Sequence, residues 1–243
     1  MTRAVALCLA ALAAACSGLD EAEGGVVGIQ VGVPGPDSIE VGESIQLTAK
    51  PLDKNGDSAA TAVTWVSADP TASIDPASGV LTGVSPGSAR VQATVGSLGS
   101  GLITFAVVPS PDTLAIAGDS SFTVAPDSVP LPSFVARLAS ANPPGPVTNL
   151  KIVFAVTDPD PAAAPPPLVF TTNGHAADSV LSGADGTATA ALQVVPGLTP
   201  PESVVVSIGA HHIRGADVFG SGQRFVLRFT AAAVAGEASR RAR

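Results

Sequence analysis

From Val26 onward, apolar and polar residues alternate with a period of two, and Gly, Pro, Asn or Asp cut the alternation roughly every 8 to 12 residues. Successive side chains on a strand point to opposite faces, so such a chain builds short strands with one buried and one solvated face. Ile45, Leu47 and Ala49 alternate with Ser44, Gln46 and Thr48, and Asn55-Gly56 then supplies a turn, because Asn-Gly adopts positive backbone angles at little cost. Val63 and Trp65 open the next strand. Residues 79–84, 89–95 and 103–107 predict three more, with Ser85-Pro86-Gly87 turning between the first two. Pro109 to Asp112 reads as a boundary, after which the pattern resumes with different residues. Phe134, Ala136 and Leu138 share one face, as do Leu150, Ile152, Phe154 and Val156. Asp185-Gly186 precedes Ala188, Ala190, Leu192 and Val194 on one strand, and Val204, Val206 and Ile208 follow. Phe225, Leu227 and Phe229 close the set, with Arg224 and Arg228 on the opposite face. Helical periodicity is essentially absent. The fold class expected is all-β, a sandwich in each block.

The 243 residues allow two ordinary domains, each with its own core. The chain is 46% hydrophobic but only 4% aromatic, with no Tyr, one Trp, 25 Gly and 22 Pro, which suits short strands joined by many turns and not disorder. The formal net charge is −8. No Lys/Arg stripe interleaves with aromatics, so no surface is suited to phosphate neutralisation and base stacking, and the sequence points away from nucleic acid. Arg240, Arg241 and Arg243 are the one basic cluster and close an Ala-rich tail, residues 232–243, read as a solvated terminus.

The runs Val41-Gly42-Glu43-Ser44-Ile45-Gln46-Leu47-Thr48-Ala49, Val63-Thr64-Trp65-Val66-Ser67 and Gly79-Val80-Leu81-Thr82-Gly83-Val84 carry a resemblance to the bacterial immunoglobulin-like domain of group 2, over residues 26–110. It implies a β-sandwich used as a repeat in surface and cell-wall proteins, adhesins included, and no catalysis. Residues 111–231 resemble the group 1 immunoglobulin-like domains of invasin and intimin, through Pro146-Val147 to Phe154 and through Asp185-Gly186-Thr187-Ala188. Residues 158–167 and 210–222 depart from that pattern. The expectation is two tandem immunoglobulin-like β-sandwich domains.

The N-terminus reads as a cleaved signal peptide. Arg3 precedes an apolar run, residues 4–15, far shorter than the ~20 residues that span a bilayer. Ala13, Ala14 and Ala15 lead into Cys16, an arrangement that resembles the lipobox of bacterial lipoproteins, although Leu12 stands four positions before the cysteine where the family places leucine three before. The resemblance implies cleavage after residue 15 and lipidation of Cys16, with residues 16–25 as a short linker. Cys8 would leave with the signal. A lone thiol in an oxidising compartment is a liability unless blocked, and thioether-linked lipid blocks it. The other reading is an ordinary signal cut at an Ala-x-Ala site, leaving a soluble exported protein with one thiol. The anchored reading makes the membrane a partner through Cys16, in the bacterial envelope at the outer membrane or cell surface, beside a protein or surface ligand of unknown identity.

Chemistry is sparse. His175, His211 and His212 are the three histidines, and neighbours on a strand point to opposite faces, so His211 and His212 share a metal only if their segment is a loop. Asp217 is the nearest acidic residue, and one carboxylate does not complete a tetrahedral set. No nucleophile-elbow, zincin or phosphate-loop motif occurs. Asp53-Lys54-Asn55-Gly56-Asp57 starts like a calcium loop, but Ser58 and Thr64 stand where such a loop needs Gly and Glu. Asp158-Pro159-Asp160 reads more simply as part of a stiff proline-rich loop. Trp65, in register with Val63, is expected in the core and not on a sugar-stacking face. No catalytic, cofactor or metal residue is assigned, and a partner is expected to engage an edge strand or the proline-rich loop. Two functional classes follow: an adhesion or interaction module, and a structural spacer or assembly factor inside the envelope. A third, a ligand-binding or hydrolytic protein, would use the histidine segment.

Overall fold

The computed structural model describes residues 25–162 and 165–230, so the signal peptide, Cys16, most of the linker and the tail lie outside the described residues. Among the described residues the chain is all β, with no helix long and apolar enough to cross a membrane. It divides into two compact units between Val108 and Pro109.

Unit 1 runs through β1 (Gly28–Gly32), β2 (Ser38–Glu40), β3 (Ser44–Gln46), β4 (Thr48–Leu52), β5 (Thr64–Ser67), β6 (Ala72–Ile74), β7 (Val80–Gly83), β8 (Gly87–Val95), β9 (Leu98–Gly99) and β10 (Ile103–Val108). One sheet has the order β2-β10-β8-β5, with β9 folded back on β8; the facing layer is β3-β7-β6 together with the β1-β4 pair. β1 pairs antiparallel with β4, the chain then crosses sheets through Pro34-Gly35-Pro36, and β2 runs parallel to β10. This is the immunoglobulin arrangement, with strands A, B, E and D in one layer and C, F and G in the other, the first strand being shared between them.

The alternation read from the sequence appears as alternating burial. On β8, Ala89, Val91, Ala93 and Val95 are buried, while Arg90 is exposed and Gln92 and Thr94 are half-buried. Trp65 on β5 is buried beside Leu47 and Leu81 in a core that Phe105 completes. A large aromatic leaves room for nothing else nearby. Gly79 has φ +75, and a Cβ there would sit 2.6 Å from Trp65 Nε1 and 3.1 Å from the Leu47 carbonyl oxygen, so the turn into β7 requires glycine for both conformation and space.

Unit 2 repeats the scheme with β11 (Thr113–Ile116), β12 (Ser121–Val124), β13 (Ser133–Ala141), β14 (Pro144–Pro146), β15 (Lys151–Asp158), β16 (Leu168–Phe170), β17 (Ala177–Leu181), β18 (Thr187–Val194), β19 (Ser203–Ala210) and β20 (Arg224–Phe229). The layers are β11-β13-β18-β16, with β14 on β13, and β12-β20-β19-β15-β17. Again the first strand is shared, since β11 pairs antiparallel with β13 and β12 runs parallel to β20. Phenylalanine replaces tryptophan at the centre. Phe134 lies between Phe122 and Phe225, with ring centroids 5.8 and 5.0 Å away, and Phe154 meets Phe170 at 6.5 Å. Such pairs add about 0.5–1.5 kcal/mol beyond the area they bury.

Candidate interaction surfaces

Several aspartates in both units hold turns or tie them to neighbouring strands. Asp69 receives the Arg90 guanidinium at 2.9 Å on each carboxylate oxygen and the Arg90 backbone N–H at 2.8 Å, and these bonds from Arg90 hold its carboxyl below the usual range. At the Asn55-Gly56 turn, Asp53 Oδ1 accepts the backbone N–H groups of Asp57 and Asn55, both at 2.9 Å, which lowers the Asp53 carboxyl from its ordinary value, Asp57 contributing most. Its carboxylate is therefore turned onto its own backbone. Asp185 does the same at the turn into β18, accepting the N–H and hydroxyl of Thr187. Asp160 accepts the Ala162 N–H at 2.9 Å.

Segment 210–222, which departs from the expected pattern, is the hairpin from β19 to β20. His211 and Asp217 face each other across a β-bridge, with Nδ1 2.8 Å from Asp217 Oδ1 and both side chains more than half exposed. The structure thus pairs His211 with Asp217, the nearest acidic residue read from the sequence. No group of three or more His, Cys, Asp or Glu suited to a metal occurs among the described residues. His175 is exposed in the turn between β16 and β17, where its N–H donates to Asn173 Oδ1.

The hairpin is bound to the first strand of its unit. Leu114 N–H donates to the Phe219 carbonyl, and the Gln223 carboxamide accepts from Ile116 N–H at 3.3 Å and donates to the Leu114 carbonyl at 3.1 Å. Val218 is consequently buried at 1% exposure and Phe219 is turned out at 81%. Sequence reasoning missed Phe219, since nothing in a turn-rich segment distinguishes an inward from an outward apolar residue.

Two further surfaces stand out among the described residues. A groove of about 570 Å³ in unit 2 is lined by Pro126, Thr199, Pro200, Glu202, Arg228 and Thr230, offering prolines, hydroxyls and one charge of each sign. The edge strands are the other. Val156 N–H bonds the Ala176 carbonyl and Ser182 N–H bonds the Leu150 carbonyl, so Ala177, Ser179 and Leu181 direct their backbone groups away from β15. Two of those groups are capped, the Ala177 carbonyl by Asn173 Nδ2 and the Ser179 N–H by Asp178 Oδ1. In unit 1 the Trp65 N–H on edge strand β5 donates to the Pro76 carbonyl. Such caps blunt an edge against indiscriminate pairing.

Residues 34–104 match the family model of the bacterial Ig-like domain (group 2). Unit 1 carries a domain of that family. The match falls on the strands of the group 2 sandwich from the crossing before β2 to the start of β10. No curated protein matches the chain. Among solved structures, the Yersinia pseudotuberculosis adhesin InvE is 16% identical with a TM-score of 0.39, over 81% of this chain and 57% of that one. FdeC, an adhesin of Escherichia coli, is 14% identical with a TM-score of 0.44, over 87% of this chain and 66% of the other. The fibronectin(III)-like modules of Clostridium thermocellum CbhA are 14% identical with a TM-score of 0.37, over 86% and 97%. The chain therefore spans less than two thirds of either adhesin structure.

Proposed function

We propose that this protein is a non-catalytic, lipid-anchored envelope protein whose two Ig-like units mediate adhesion or protein–protein interaction at the cell surface. The observation that carries the proposal is the group 2 Ig-like domain in unit 1, a module type that the sequence resemblance ties to surface proteins; residues 1–15, read as a lipoprotein signal ahead of Cys16, support the anchor. In the same reading unit 2 is a group 1-like module. The polar side chains support a binding role over catalysis, because Asp53 and Asp185 are engaged by turn backbone, Asp69 is held by Arg90, and the His211–Asp217 pair stands exposed. Several acyl chains at the N-terminus would hold the units at the membrane far more firmly than one chain.

Protease treatment of intact cells, compared with cells whose outer envelope has been opened, tests the placement. Digestion on intact cells supports surface adhesion. Protection until opening would instead support a spacer or assembly role inside the envelope. Cys16→Ser should release the protein from the membrane fraction, and unchanged membrane retention would remove the anchor from the proposal.

A further inference from the structure

Asn55-Gly56 stands at the tip of the turn after β4. Four asparagines occur in the sequence: Asn55, Asn142, Asn149 and Asn173. An asparagine carboxamide is lost when the backbone nitrogen of the next residue attacks its Cγ, so the identity and freedom of that next residue decide the outcome. Asn142 precedes Pro143, which has no N–H to deprotonate, and Asn149 precedes Leu150, whose branched side chain obstructs ring closure. Asn55 and Asn173 both precede glycine, and both glycines take positive φ, +83 at Gly56 and +70 at Gly174.

What separates the two Asn-Gly pairs is the hold on the carboxamide. Asn173 Nδ2 donates to the Ala177 carbonyl at 2.9 Å and to Asp178 Oδ1 at 3.1 Å, while its Oδ1 accepts the His175 N–H at 2.9 Å. Asp178 is itself buried and further held by the Thr172 hydroxyl and the Ser179 N–H. Both asparagines are exposed, but the Asn55 carboxamide makes one long hydrogen bond, 3.3 Å from Nδ2 to Asp53 Oδ2. Each glycine N–H donates one backbone bond, Gly56 to Asp53 at 3.0 Å and Gly174 to Phe170 at 2.9 Å, so that restraint is common to both.

We infer that Asn55 is a site of spontaneous deamidation in the folded protein and that Asn173, with the same Asn-Gly sequence, is protected by the fold. The Gly56 amide nitrogen loses its proton to solvent base and forms a bond to Asn55 Cγ. The bond from Cγ to Nδ2 breaks and ammonia leaves, giving a cyclic imide. Water then adds to either imide carbonyl, yielding aspartate or the β-linked isoaspartate, with no change of oxidation state. The product places a new negative charge between Asp53 and Asp57. In the β-linked form it also adds one backbone atom to the turn that the Asp53 N–H to Asp57 carbonyl bond closes.

The test is to incubate the full chain in mildly alkaline buffer, with and without a denaturing concentration of urea, and to follow both tryptic peptides by mass spectrometry. In the folded protein Asn55 is expected to convert about thirtyfold faster than Asn173, the equivalent of about 2 kcal/mol of additional hydrogen bonding at Asn173. In urea the two rates should converge to within a few-fold. Comparable conversion of both sites in the folded protein would overturn the inference, as would an Asn55 that stays intact. Asn55→Gln, with its longer side chain, should abolish the new species at this peptide and leave Asn173 unchanged; persistence of the species in that variant would also overturn it.

Discussion

At the scale of single residues, Trp65 and Gly79 form one device. Trp65 fills the middle of the unit 1 sandwich, and Gly79 is the gap that lets the chain pass its indole. Replacing Trp65→Ala leaves a cavity that a rigid pair of sheets cannot close, and a loss of about 3–5 kcal/mol is expected in urea unfolding followed by far-ultraviolet circular dichroism. Gly79→Ala meets a fixed backbone carbonyl and a buried ring, so it should cost more than about 1 kcal/mol in the same assay. A smaller loss would mean that the turn relaxes. Trp65 was legible in the sequence, because its register with Val63 places it on the inward face of an alternating strand. The need for glycine at position 79 was not, since it follows from where the indole and the Leu47 carbonyl lie in space. Phe219 was not legible either: it stands in solvent because its neighbour Val218 takes the inward position.

At the scale of elements, most of the longer alternating strands were readable, while short strands such as β1, β12, β16 and β17 were missed. β13, β18, β19 and β20 carry the expected inward residues, and β18 begins and ends at the expected positions, Thr187–Val194. β16 is three residues long, all buried, so it offers no alternation to detect, and β17 presents Ala177, Ser179 and Leu181 outward with too little polarity contrast. The β19–β20 hairpin was left unassigned because its restraints are long-range. Gln223 binds strand β11 more than a hundred positions earlier in the chain. Gln223→Ala should therefore lower the stability of unit 2 by about 1 kcal/mol, the net worth of such bonds, and increase proton exchange at Ile116 N–H. Unchanged exchange at Ile116 would show that the carboxamide does not hold the strand.

At the scale of the whole molecule, acid sensitivity should differ between the units. Asp53, Asp69 and Asp75 in unit 1 and Asp185 in unit 2 are held below the ordinary carboxyl value of 3.8 by backbone and side-chain donors. A carboxyl depressed in the folded state contributes stability that is fully present above its unfolded value and is lost as pH falls through that value toward the folded one. Both units should hold their stability from neutral pH down to about pH 5 and lose it below about pH 4, unit 1 losing more. Trp65 is the one tryptophan of the chain, so its emission reports unit 1 alone, while circular dichroism follows both. Equal acid losses, or a gain on acidification, would contradict the assignment of those shifts.

The sequence by itself determined the fold class, the number of sandwiches and the inward face of most strands. Each of these rests on local periodicity, which is decided within a few residues by the alternation of the strand and the conformational needs of its turns. Tertiary structure alone decided which groups would meet: Gln223 with Leu114 across more than a hundred positions, and Asn173 with the buried Asp178 just past its own turn. The two Asn-Gly pairs state the difference most sharply, for they are the same dipeptide, and only the hydrogen bonds that the surrounding fold supplies set one apart from the other.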